Sequence, residues 1–221
     1  MGSILYLFVI LASLAIGGAS SAYVKKKIGQ YQNVPSTTGW NGQQAAKAMM
    51  AQYGIGDLPV HMGGDNEDHF DPRTNSVTLD PHAYSQPSVT AVATACHEVG
   101  HACQFAQGYL PMKIRSALVP AVNLGASAWM VVLLAGIMLN MVGLIDIAIA
   151  LYGLSVLFHV VTLPVEFDAS RRGLAYLKEI GIVGEEQAQA KSVLTACALT
   201  YVAAALVSAI QLVYLIAAYR R

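Results

Sequence analysis

Charge is missing from three long parts of the chain, and this limits its folding more than any other feature. Residues 4–24 carry none, residues 119–165 carry only Asp146, and residues 193–219 again carry none. About 20 apolar residues cross the roughly 30 Å hydrocarbon core of a bilayer, where the backbone must satisfy itself internally, as a helix does. The middle part is long enough for two crossings, with a turn signal at Asn140 and Gly143. The pattern predicts four membrane helices, near 4–23, 119–139, 143–164 and 194–217. Only 12% of the 221 residues are charged, about half the fraction usual in a soluble domain. Thirteen basic residues balance thirteen acidic ones, which argues against a nucleic-acid surface.

The remaining charges orient these helices. Lys25, Lys26 and Lys27 follow the first apolar run, whereas no positive charge precedes it. A cleaved signal peptide ending in "GGASSA" is the alternative, but its positive n-region is missing. By the positive-inside rule residues 1–24 are an anchor with its N-terminus outside. Residues 25–118 are then cytosolic, 119–165 form a transmembrane hairpin, 166–192 return to the cytosol with Arg171, Arg172, Lys178 and Lys191, and 193–221 hold the last span. Arg220 and Arg221 fall outside, a mild conflict with the rule. Cys96, Cys103 and Cys197 have no framework spacing and read as free thiols in a reducing compartment.

Within the cytosolic part, a helix is expected from Asn41 or Gly42 to Gly54. Asp71-Pro72-Arg73-Thr74-Asn75 is a turn signal, and Ser76-Val77-Thr78-Leu79 alternates like a short strand, so a hairpin or small sheet is expected. Ser88 then opens a helix over residues 91–107. On it stands "HEVGH": His97 and His101, four apart, share one face, and two imidazoles so placed can converge on one tetrahedral zinc ion. Glu98 can reach a zinc-bound water without ligating the metal. The extended form of the motif is absent, because residues 104 and 107 are both glutamine. A glutamate from another helix is therefore sought as third ligand, among Glu166, Glu179, Glu185 and Glu186. Glu166, just past Pro164, is returned by the hairpin to the same membrane side as the histidines; the others lie in a polar loop or frayed helix end.

The blocks "DPRTNSVTL", "HEVGHA", "RSALVPAVNLG", "LPVEFDASRRGL" and "LTYVAAAL" together resemble the neutral zinc metallopeptidases of bacterial membranes, the YugP-like proteins. The chain is more distantly similar to HtpX-type membrane proteases, which place HExxH on a cytosolic helix with a glutamate downstream. The resemblance implies a mainly α, multi-span membrane protein with a small cytosolic α+β, gluzincin-like catalytic region. It also implies one zinc ion, a peptide or membrane-protein substrate and a bacterial-type cytoplasmic membrane. In the HtpX-type proteins an aspartate four residues after the glutamate usually orients a histidine. Here that position is Ser170, with Asp168 on a different helix face.

The expected mechanism has zinc held by His97, His101 and Glu166 with a fourth position open to water, and Glu98 as general base. Arg171, Arg172, Tyr176 and His159 are candidates for a second oxyanion donor, though the arginines read more readily as membrane anchors and His159 as a packing group between spans. Val77, Thr78 and Leu79 form either a substrate-binding edge or an ordinary core strand. His61, His69 and His82 read as loop residues, with a second metal at His69 a minor alternative. The rival readings are an intramembrane, site-2-type zinc protease and a catalytically idle zinc-binding scaffold. Oligomeric state is left open.

Overall fold

A computed structural model describes residues 2–219, with side chains from Ile4 onward; Arg220 and Arg221 lie outside the described residues. The first helix, α1 (Gly2–Tyr31), does not stop at the lysines but carries them on its last turns, where Lys27 lies 5.9 Å from the ring centres of both Tyr23 and Tyr31. Then comes α2 (Gly42–Tyr53), opened by a reciprocal capping box between Asn41 and Gln44 and closed by Gly54 at φ 62°. Both ends match the sequence expectation because both signals are local.

Three short strands follow: β1 (Val60–Met62), β2 (His69–Asp71) and β3 (Ser76–Leu79). The expected hairpin is β2–β3, pairing His69 with Thr78 and Asp71 with Ser76 around a turn in which Asn75 adopts φ 50°. A parallel partner, β1, also aligns with β3 from Val60–Val77 to Met62–Leu79. The order is β1-β3-β2. This corrects one expectation: Val77, Thr78 and Leu79 are the central strand, with both hydrogen-bonding sides occupied, so they offer no edge to a substrate. Ser76, Val77 and Leu79 are buried, because the central strand of so small a sheet has to supply its core.

A single turn, α3 (Pro81–Ser85), leads to α4 (Val89–Ala106), capped by Ser88, whose hydroxyl accepts from the Ala91 amide. Fourteen of its 18 residues are buried, as expected for a helix enclosed by neighbours on most sides. The core around it joins Met49 and Met50 of α2, Val77 and Leu79 of β3, and Val92 and Val99 of α4. Tyr176 and Leu177 of α6 (Val142–Glu179) and Leu194 of α7 (Gly184–Tyr219) complete it.

Before α6 comes α5 (Leu110–Met138), and the two are joined by a tight turn with Asn140 at φ 52°. Among the described residues four helices, α1, α5, α6 and α7, are long and apolar enough to cross a membrane. Their outward faces carry Phe8, Leu14, Leu124, Val131 and Val213, each more than half exposed, far more apolar surface than water tolerates on one protein. One difference from the sequence expectation concerns α6, which runs through Pro164 without a break. At 1.5 Å per residue its 38 residues reach about 57 Å, nearly twice the hydrocarbon thickness. The same rod thus supplies an apolar span and then a buried polar segment with Glu166, Asp168 and Ser170.

Candidate metal centre

α4 and α6 approach each other where glycine removes the side chain. A methyl group on Gly100 would stand 2.6 Å from the carbonyl oxygen of Ala169, and one on Gly173 would stand 3.1 Å from that of Cys96. Glycine at both positions lets the helix backbones nearly touch. His97 and His101 on α4 therefore meet Glu166 on α6 directly. The imidazoles sit edge to face with centroids 4.7 Å apart. Glu166 Oε2 lies 3.2 Å from His97 Nε2 and 3.4 Å from His101 Nε2, and the glutamate is 2% exposed.

The polar groups behind the histidines fix their chemistry. Gln104, fully buried, donates through Nε2 to the Val165 carbonyl (2.7 Å) and to Asp168 Oδ2 (3.0 Å). With both amide protons spent, its Oε1 must accept the proton on His101 Nδ1, 3.1 Å away. In the neutral ring Nε2 of His101 is then the acceptor nitrogen, its lone pair toward Glu166 Oε2. Two acceptors facing each other at 3.4 Å repel unless a cation stands with them. Atoms bound about 2.0–2.1 Å from a tetrahedral zinc ion lie roughly 3.3 Å apart, so the donor set and its spacing fit zinc. Ser170 Oγ, 3.1 Å from His97 Nδ1, braces the other ring. Among the described residues, His97, His101 and Glu166 are the one group of His, Cys, Asp and Glu side chains that can share an ion.

Glu98 points into the same buried region without joining the three. Burial pushes its pKa up to about 7, the charge of His97 works against this, and nearby Glu166 and Asp68 add to it. Asp68, before β2, is raised to about 6, again by burial, although the Asp80 amide donates to it at 2.8 Å. The Phe70 backbone amide of β2 faces the Glu98 carboxyl.

The other sequence candidates fall elsewhere. Arg171 and Arg172 both engage Asp168, the latter at 2.6 Å, and Arg172 also donates to Gln107. Neither is turned toward the histidines, so neither is the oxyanion donor. Tyr176 is buried in the core beside Tyr53, their ring centres 6.1 Å apart, and is likewise no donor to the centre. His159 lies two turns earlier on α6 against Phe158. The rival carboxylates are occupied: Glu179 accepts from Gln52 and Tyr53, Glu185 from Gln189, and Glu186 from Ser36 and Thr37. His61 and His69 are exposed on outer strands and His82 sits in α3. Asp168 and Ser170 both support the histidines, but by different routes: Ser170 directly, Asp168 through Gln104.

The sequence reading missed two residues. Gln104 lies three positions after His101 and so on the same face, a spacing that could have marked it. Arg115 of α5 brings its Nη2 to 3.9 Å from Glu166 Oε1, and no sequence signal set it apart from a membrane-flanking cation.

Paired imidazoles on α4 and a buried carboxylate on α6, a helix continuous with an apolar span, form a metallopeptidase-like centre in a membrane-type protein. Comparison with known proteins agrees: residues 5–220 match the family described as "Putative neutral zinc metallopeptidase", and the chain belongs to that family. In particular it is 35% identical over 210 residues to a Bacillus subtilis (strain 168) protein described as "Putative membrane protease YugP", covering 94% of this chain and 93% of that one. No solved structure matches it.

Proposed function

We propose that this protein hydrolyses peptide bonds at the cytosolic face of a membrane, with one zinc ion held by His97, His101 and Glu166 and with Glu98 as general base. The observation that carries the reading is the convergence of Glu166 Oε2 on both imidazole Nε2 atoms, at 3.2 and 3.4 Å, inside a nearly closed site. When bound, zinc supplies Lewis acidity and lowers the pKa of a coordinated water. The protein supplies the rest. Gln104 and Ser170 hold the rings so that lone pairs face the centre, and the buried Glu98 accepts a proton from the attacking water and returns it to the leaving amine. A carboxyl with a pKa near 7 is basic enough to take that proton. An extended peptide can pair with the outer edge of β2, whose Phe70 lies beside Glu98, instead of with β3.

The lysines on the last turns of α1 support a cytosolic position for this face by the positive-inside rule. Both histidines stand on α4, which is not among the helices long and apolar enough to cross a membrane, and Glu166 lies past the apolar part of α6, which favours a surface site over an intramembrane one. The test is metal analysis of the purified protein followed by casein cleavage with and without chelator. Zinc at one per chain, chelator-sensitive cleavage, and a Glu98→Gln variant that keeps zinc yet cleaves nothing are the expected results. Bound zinc without chelator-sensitive cleavage would instead support the idle scaffold.

A further inference from the structure

Arg115 breaks the pattern of the cations around it. A basic residue on the first turns of a membrane-type helix ordinarily extends into water or headgroups, and Lys113, two residues earlier, is exposed. The Arg115 side chain is instead only 27% exposed and turned inward, its Nη2 3.9 Å from Glu166 Oε1. That oxygen is buried and accepts no hydrogen bond among the described residues. Among the described residues the guanidinium also touches the Met112 sulfur at 4.0 Å and lies near enough to the Tyr201 ring for its charge to be felt there. Arg171 and Arg172 spend their charge on Asp168. Arg115 therefore faces a centre of two imidazoles and the carboxyls of Glu166 and Glu98 as an ion-pair neighbour of Glu166, but at 3.9 Å its N–H donors stand too far from that residue to be its hydrogen-bond partner.

We propose that Arg115 is a catalytic residue that donates to the carbonyl oxygen of the scissile peptide bond and stabilises the oxyanion formed there; this rests on the peptidase reading above. In the first step a water oxygen bonds to the carbonyl carbon, its proton passes to Glu98, and the carbonyl π pair moves onto oxygen beside the guanidinium. In the second the C=O bond re-forms, the C–N bond breaks, and the amine leaves with the proton returned by Glu98. Nothing is oxidised or reduced. A fixed cation aimed at the developing charge suits this step, since a guanidinium stays protonated throughout.

The experiment compares full-length wild type, Arg115→Gln and Arg115→Lys, each loaded with zinc in detergent. Zinc affinity, kcat and KM for casein, and the affinity of a phosphinic peptide built on the casein bond cleaved are measured. Loss of an oxyanion donor lowers kcat by about 10²–10³-fold. The expected result is such a fall in Arg115→Gln with KM and zinc affinity unchanged, a parallel loss of phosphinic-peptide affinity, and partial recovery in Arg115→Lys. Undiminished kcat, a change confined to KM, or zinc affinity falling together with kcat (the mark of a prop for Glu166) would each overturn the proposal. A wild type that binds zinc but cleaves nothing sinks the peptidase reading as well, whereas an active wild type beside an equally active Arg115→Gln sinks this proposal alone.

Discussion

Replacing Gly100 with alanine tests the helix contact on which the centre depends. The added methyl would lie 2.6 Å from the Ala169 carbonyl oxygen, on backbone that cannot swing aside. Cβ atoms are essentially never found closer than 3.0 Å, and ordinary contact begins at 3.4 Å. α4 and α6 must therefore separate locally by about 0.4–0.8 Å. Zinc ligation tolerates about 0.2 Å, and Gly100 stands next to His101. Overpacking costs about 1–3 kcal/mol, while alanine returns up to about 1 kcal/mol in helix propensity. The fold should survive with a loss of up to about 2 kcal/mol, while zinc affinity should fall by at least the 10–100-fold seen when outer supports of a metal site are lost. The assay is chelator competition for zinc, with thermal unfolding of the metal-free protein read in parallel. Gly153→Ala, where nothing lies within 4 Å of the added carbon, is the control and should leave both quantities near wild type. A Gly100→Ala protein that binds zinc as tightly as wild type would show that the helix contact does not set the ligand geometry.

Gln104→Leu keeps the side chain's bulk but removes the amide between His101 and Asp168; zinc affinity should drop about 10–100-fold in the same competition assay. Ser170→Ala should cost less, because His97 loses one hydroxyl contact while the Gln104 network stays intact. Asp68→Asn tests the buried carboxyl before β2 in chelator-treated protein. Its pKa is raised to about 6, so the native state prefers the proton, and stability is lost as pH rises from about 4 through 6. The asparagine variant, which still accepts from the Asp80 amide, should be more stable than wild type by on the order of 2 kcal/mol at pH 7.5 and no more stable at pH 4. Denaturant midpoints at the two pH values check this, and an equal difference at both would refute it.

What could be read from the sequence was what local chemistry decides. Asn41 with Gln44, Ser88 before Val89, and Asn140 in its left-handed turn mark element ends through bonds spanning a few residues, and charge-free runs mark the long helices. Glu166 was reachable only by following the chain across two spans and back, a deduction about topology. Less could be inferred where the partner comes from afar. Nothing in Val60-His61-Met62 announces a parallel pairing with β3, so the sequence could not decide between an edge and a core strand there. Pro164 signals a helix boundary, yet the packing of α6 on α4 and α5 overrides the loss of one backbone donor. Gln104 and Arg115 acquire their roles from groups on α6, and until those groups arrive one is a polar helix residue and the other a flanking cation.

The unbroken course of α6 has a consequence for what can be cleaved. A carboxylate fixed nearly seven turns along a rod whose earlier turns are apolar enough to lie in lipid is held at a constant altitude relative to the bilayer. On the peptidase reading proposed above, tethered chains would be cut at a set distance from their own anchors, and a thicker or thinner bilayer would move the cut along the victim instead of abolishing it.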